Sequence, residues 1–204
     1  MNPQRKTSRR RQPQQGRARN TVEAVLDAVV RILKREGITA VTTNRIAEVA
    51  GVSIGSVYQY FPDKRAIYIA LHERHIEAID RMVEAKLMEH AASPLSKLMR
   101  GMIEAMVEAH QGDPELYEVL YNEVPHRAEG TRDFAARLHG AFRLAIAARA
   151  HELKTKRDLD TLVFVVTHMV DSLSHAAALA RPKGMTLATA KEEAVRAVLA
   201  YLHA

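Results

Sequence analysis

The segment from Thr42 to Lys64, TTNRIAEVAGVSIGSVYQYFPDK, constrains the fold most tightly, because it carries start and stop signals for two short helices in one stretch. Thr42 or Thr43 can act as an N-cap, Ile46, Val49 and Ala50 make a short apolar face, and Gly51 ends the helix. Ser53 can cap a second helix, whose Val57 and Phe61 lie four apart and face inward. Ile54, Gly55, Ser56, Tyr58, Gln59 and Tyr60 are left looking outward. A helix that buries so little and exposes small, amide and aromatic side chains suits the DNA major groove. The segment reads as a helix-turn-helix.

The run Thr-Thr…Ile-Ala…Ala-Gly-Val-Ser-x-Gly-x-Val-Tyr-x-Tyr-Phe-x-x-Lys, from Thr42 to Lys64, resembles the N-terminal signature of the tetracycline-repressor (TetR) family of bacterial regulators. The resemblance covers roughly residues 17–77; beyond it the chain matches only in helical layout. It implies an all-α protein with an N-terminal three-helix helix-turn-helix domain, joined by a long helix to a C-terminal helical ligand-binding and dimerisation domain. It also implies a small-molecule pocket among the C-terminal helices, and a dimer interface made by the last two. The expected division is a disordered basic arm at 1–16, the DNA-binding domain at 17–77 and the second domain at 78–204.

A chain of 204 residues is long enough for one large or two small cores. It has no cysteine, which excludes disulfide scaffolds, thiolate metal sites and cysteine nucleophiles. No apolar stretch follows the basic N-terminus, so a secretory signal is not expected and the cytoplasm is the expected location. The net charge of +6 is unevenly spread: Arg5, Lys6, Arg9, Arg10, Arg11, Arg17 and Arg19 precede the first acid, and the rest of the chain is nearly balanced. With Pro3, Pro13 and several glutamines, that arm is expected to be disordered in the free protein. It reads either as a phosphate-neutralising or minor-groove arm beside the helix-turn-helix, or as a solubilising tail.

Apolar periodicity predicts a first helix from Asn20 or Thr21 to Glu36, ended by Gly37. A long fourth helix runs from Pro62-Asp63-Lys64 to His90, with Ile67, Leu71, Ile79, Val83 and Leu87 on one side. Further helices are expected from Ser93-Pro94 to His110, Pro114 to Tyr121, Thr131 to Leu153, Asp158 to Ala180 and Thr186 to His203, with a loop from Asn122 to Gly130. Nothing alternates with period two, so no sheet is expected.

From Thr161 to Ala180 the only formal charge is Asp171, and a helix so apolar must be covered on both sides. A membrane span has the right length, but an aspartate near its centre costs roughly 2.5–3.5 kcal/mol on insertion, so a second chain is the expected cover and no membrane is. Leu159, Leu162, Val163, Val166, Val170, Leu173 and Ala177 form one stripe; Phe164, His168, Asp171 and His175 form another. The second stripe, with Val198 and Leu202 of the last helix, is assigned to a homodimer interface, with the choice of stripe left open. A dimer presents two reading helices and so reads a palindromic operator in double-stranded DNA.

Within the reading unit, Thr43 can offer its hydroxyl and nearby amide to a phosphate, Gln59 can pair with an adenine edge, and Ile54 can press on a thymine methyl. Gly55 lets the backbone approach closely, and Ser53 and Ser56 lie on the same exposed turn. The resemblance implies backbone contacts for Tyr58, Tyr60 and Lys64. Asn44 stands where the family often has a base-reading arginine, and Arg45 beside it is expected to share that work. In the second domain Met99, Met102, Met106 and His110 share a helix face, and Tyr117, Tyr121, His139, Phe142 and His168 can add aromatic walls and polar handles for an unidentified small-molecule effector. Plain core is the competing reading for the same stripe. Either His168, Asp171 and His175 or His72 and His75 with neighbouring glutamates could ligate a divalent ion, but satisfied core or interface histidines are commoner, and neither metal nor cofactor is expected. No phosphate loop, nucleophile elbow or zinc-protease pair occurs, so no enzyme is expected. Two alternatives to the repressor reading remain: an architectural DNA binder led by the basic arm, and a metal-responsive regulator.

Overall fold

The computed structural model describes residues 11–124 and 129–204, the side chains at 11–15, 121 and 129–132 excepted. Its helices are α1 (Arg11–Glu36), α2 (Thr43–Ala50), α3 (Ile54–Tyr60), α4 (Lys64–Glu89), α5 (Leu95–Gln111), α6 (Pro114–Glu123), α7 (Glu129–Ala147), α8 (Leu159–Leu179) and α9 (Leu187–His203), with 3-10 turns at Ile38–Ala40 and Ala150–Glu152. There is no strand among the described residues, and the all-α expectation holds. Two compact units form, one from the chain up to His72 with Glu118–Val124, the other from Glu73–Tyr117 and the chain after Val124. The division after His72 falls inside α4.

In the first unit α1 buries Val25, Leu26, Ala28, Val29, Ile32 and Leu33, and Gly37 ends it at a positive φ of 79°. The helix starts at Arg11, well before the expected Asn20, so residues 11–16 are helical where disorder was expected. Glutamine and arginine are good helix formers, and Pro13 falls in the first turn, where its missing N–H has no intrahelical partner to lose. The remainder of the arm, residues 1–10, lies outside the described residues. Val41, Ile46, Val57, Phe61, Ile67, Tyr68 and Leu71 complete this core. On α2 the fully buried pair is Ile46 and Ala47, while Val49 and Ala50, assigned to the inner face by spacing, are only half-buried. So short a helix presents one turn to the core, and positions 46 and 47 occupy it.

The second unit is organised around α5, which is buried nearly all round: Leu95, Leu98, Met99, Met102, Ile103, Met106, Val107 and His110 are all inside. α8 packs against α5, α7 and α9. Asp158 caps α8 by accepting from the Thr161 amide at 2.8 Å. The α4–α5 junction is tied by Arg149. Its guanidinium is buried and donates to the carbonyls of His90, Ala91 and Ser93, each at 2.8 Å, and of Ala145 at 2.9 Å. A cation placed on the open carbonyls at the C-terminus of α4 is stabilised by their dipoles. Glu152 accepts from the Leu95 amide at 2.8 Å and so caps the start of α5. These ties explain why α7 stops at Ala147 instead of continuing to Leu153: the chain leaves helical geometry at Arg149 (φ −118°, ψ 21°). α6 reaches Glu123, so Asn122 and Glu123 are helical where a loop was expected; residues 125–128 lie outside the described residues.

α8 is long and apolar enough to cross a membrane by length and composition alone. Its inner stripe, Leu162, Val163, Val166, Val170 and Ala177, is buried in the chain's own core, with Leu159 and Leu173 half-buried at its edges. Phe164, His168 and Asp171 lie on the exposed side, and His175 is half-buried. On α9, Val198 and Leu202 are wholly buried in the chain's own core, which removes them from the expected dimer surface. Spacing could not separate these roles, because α9 is apolar over more than one face and both α8 and α5 pack against it.

Candidate nucleic-acid interface and interior ring cluster

Local capping builds the reading unit. Thr42 accepts from the Arg45 amide at 3.2 Å and opens α2. Gly51, in the left-handed region at φ 69°, closes it, with its own N–H on Glu48 O at 3.2 Å and the Val52 N–H on Ala47 O at 3.0 Å. Ser53 then caps α3, accepting from the Ser56 amide at 3.0 Å, while the two hydroxyls pair at 2.8 Å. Ser53 is the cap that the sequence predicts, and the Ser56 hydroxyl pairs with it. Val57 and Phe61 are buried and fix the rotation of α3, so that Ile54, Gly55, Tyr58 and Gln59 are exposed, with Ile54 and Tyr58 one turn apart. Tyr60 is half-buried. A Cβ built on Gly55 would meet only Ser53 Oγ, at 3.8 Å, so nothing within the chain requires glycine there.

On α2, Thr43 is half-buried in the first turn and Asn44 is exposed. Arg45 is placed differently from expectation. Its guanidinium is held by Glu36 through Nη2–Oε1 at 2.8 Å and Nε–Oε2 at 3.1 Å, and by Glu48 through Nη1 at 2.8 Å. That forked pairing holds the Glu36 carboxyl below the usual range and raises the guanidinium further. Arg45 ties the end of α1 to α2 and is not a free base reader. Lys64 is exposed, with its ammonium 5.6 Å from the Tyr68 ring centroid. Burial, helped by Glu123, pushes the Tyr68 phenol up to about 12.

In the second unit Met102, Met106 and Phe142 are fully buried and join the continuous apolar core. His139 is half-buried on α7, and the side chain of Tyr121 lies outside the described residues. His168, expected as a pocket wall, is exposed instead: it stacks on Phe164 at 4.4 Å, and its Nδ1 lies 2.7 Å from the Phe164 carbonyl. It sits on the outer side of α8 because the inner positions, 166, 167 and 170, fill the helix's packed face.

His110 and Tyr117 belong to a cluster that the sequence reading did not assemble. Tyr117 of α6 lies with its ring edge-on to His110 of α5, centroids 4.4 Å apart. His75 of α4 is 5.5 Å from Tyr117 and 6.4 Å from His110, and His175 of α8 is 5.2 Å from Tyr117 and 6.0 Å from His110. Burial first, and His75 second, pull the His110 imidazole down to about 4, so it is neutral at physiological pH. The signal was present as three histidines and a tyrosine, but on four helices, and no local spacing joins them. Among the described residues no group of three or more histidine, aspartate or glutamate side chains is arranged to hold a metal ion.

A two-unit helical chain with a capped, outward-facing helix-turn-helix defines a helical DNA-binding regulator class, and comparison with known proteins gives the family. Residues 25–71 match the model for bacterial regulatory proteins of the tetR family, and residues 94–202 match the tetracyclin repressor-like C-terminal domain. The chain belongs to the TetR family. Among curated relatives it is 28% identical over 99 residues to the nucleoid occlusion factor SlmA of Haemophilus ducreyi, covering 48% of each chain. It is 30% identical over 96 residues to the HTH-type transcriptional repressor KstR of Mycolicibacterium smegmatis, covering 47% of this chain and 46% of that protein. The chain thus spans about half the length of the curated relatives it matches. The Bacillus subtilis transcriptional regulator FadR, solved in complex with stearoyl-CoA, shares the fold at TM-score 0.66 and 16% identity, covering 89% of this chain and 99% of that one.

Proposed function

We propose that this protein is a sequence-specific DNA-binding repressor that works as a homodimer on a palindromic operator in the bacterial cytosol, and that a small molecule bound in the second unit relieves repression. The observation that carries the reading is the face of α3: a capped helix anchored by Val57 and Phe61 that leaves Ile54, Gly55, Tyr58 and Gln59 exposed together. Gln59 pairs with an adenine edge and Ile54 packs on a thymine methyl, while Thr43, Tyr58, Tyr60 and Lys64 serve the phosphate backbone and Asn44 stands at the base-reading position of α2. Membership of a regulator family, and relatives such as KstR that are named transcriptional repressors, support both the DNA partner and the sign of regulation.

Relief of repression is a population shift. Weakening operator binding a hundredfold requires the effector to favour the released state by about 2.7 kcal/mol. α4 contributes residues to both units and is the natural carrier of that shift.

The test is footprinting of the purified protein on the DNA upstream of its own gene, with a salt titration. A protected palindrome of one or two helical turns, lost on Gln59→Ala, is the expected result. Sequence-blind binding that disappears when residues 1–19 are removed would instead favour an architectural role led by the basic arm.

A further inference from the structure

Among the described residues, the buried ionisable side chains of the second unit are His90, His110 and Arg149, and the fold accounts for two of them. Arg149 is engaged by four carbonyls. His90 lies against Gly101, where an added Cβ would meet its Nε2 at 2.5 Å, and its Nδ1 is 3.4 Å from Ser93 Oγ. His110 enters no ion pair, and its hydrogen bond is to the Met106 backbone one turn earlier on its own helix. It is 1% exposed and lies among the rings of His75, Tyr117 and His175, which reach it from three other helices.

We propose that the His75–His110–Tyr117–His175 cluster is the effector-recognition site, and that the effector is a weak organic acid taken up together with one proton. The inference deepens the reading of the second unit as effector-binding and rests on it.

A bare carboxylate moved into an interior of low dielectric needs a compensating positive charge. Arg149 is committed to four carbonyls at the α4–α5 junction, and no other lysine or arginine is buried among the described residues of this unit. The compensating charge must therefore arrive as a proton. The neutral His110 imidazole can take up that proton once a carboxylate lies beside it, because the opposite charge offsets the burial that now keeps it neutral. The groups facing His110 from its neighbours suit an acid. α4 presents His75, α8 presents His175, and α6 presents the Tyr117 ring. Asp171, one turn before His175, lies on the outer side of α8, where burial of its carboxyl raises it above the usual carboxylate range and His175, with His168, partly offsets that; on α9 the charged group facing α5 is Glu192, held by Arg100 at the other end of α5. A cationic ligand would add positive charge among three imidazoles and gain nothing from them. The complex carries one more proton than its separated partners, held on the imidazole of His110 against the bound carboxylate.

The linkage gives a direct test. Above about pH 6 a free carboxylic acid is ionised, so binding with one proton weakens about tenfold for each unit of pH rise. Calorimetry on the full chain, with benzoate and decanoate as probes and benzamide and decanamide as neutral matches, would be run at about pH 6.5 and about pH 7.5 in two buffers of different ionisation heat. The expected result is that at least one acid binds, about tenfold tighter at the lower pH, with uptake of about one proton, and at least tenfold tighter than its amide. His110→Gln, checked for folding by circular dichroism, should abolish the pH slope; the slope of the native protein stands without that variant. Affinity independent of pH, equal binding of acid and amide, or no binding of either acid overturns the proposal. Operator binding measured alongside separates the two readings. Operator binding without acid uptake removes the acid site and leaves the repressor reading, whereas acid uptake with a proton but without operator binding does the reverse.

Discussion

Gly55 separates a structural role from a functional one at a single residue. Its backbone is ordinary helix and an added Cβ would meet only Ser53 Oγ at 3.8 Å, so Gly55→Ala costs the fold nothing. Removing the entropy penalty of glycine from a helix should raise stability, by up to about 0.5 kcal/mol in a first turn. On DNA the same methyl stands on the exposed face, where the helix backbone approaches the groove. Operator affinity should fall at least about tenfold while the urea midpoint stays level or rises, read by fluorescence anisotropy beside a denaturation curve. Gly51 is the contrast: at φ 69° a side chain is strained, and Gly51→Ala should cost about 1 kcal/mol. His110 makes a prediction of a different kind. Its folded value of about 4 lies below the ordinary histidine value of 6.5, so the unfolded chain binds more protons between those limits. The stability it contributes is complete above about pH 6.5 and is lost as pH falls toward 4, a change of about 3 kcal/mol. Urea unfolding across that range should show a slope that is flatter by this amount in His110→Gln.

At the scale of elements, what could be read in the sequence was what depends on neighbours along the chain. Thr42, Gly51 and Ser53 set the limits of α2 and α3 through contacts within five residues, and all three perform the expected part. Contacts made across the fold were illegible. Arg149 closes the α4–α5 junction across more than fifty residues, and no periodicity in the sequence marks such a residue. Arg45, beside the recognition segment, read as a DNA contact because its partner Glu36 sits on another helix. Val198 and Leu202 read as interface because apolar spacing identifies a covered position without naming what covers it. The Arg149 tie predicts its own weight. Arg149→Met keeps much of the volume but leaves the His90, Ala91 and Ser93 carbonyls without their donor, and should cost about 3 kcal/mol in chemical denaturation. Arg149→Lys restores charge but not the planar fork, and should recover less than half of that loss.

The whole molecule raises the question of what covers the outer side of α8. Its inner stripe is buried, yet Phe164 is 57% exposed, with its ring tilted against that of His168, while Leu144 of α7 is 72% exposed. A second copy of the chain meets this need and also supplies the second reading head that a palindromic operator requires. Charge placed on that surface should therefore act on DNA binding from a distance, without touching α3. Phe164→Asp adds a carboxylate near Asp171, so that in a two-fold pairing like charges would be desolvated together. The fold itself should tolerate the change, because the side chain is exposed in the single chain. Sedimentation should then show a monomer at micromolar concentration, against a dimer expected for the native protein. Operator affinity should drop by at least about a hundredfold, since two linked heads bind far more tightly than one. An unchanged sedimentation coefficient would place the dimer surface elsewhere. Monomers that still bound the full palindrome with native affinity would show that one α3 is enough, and the two-headed reading would have to be abandoned.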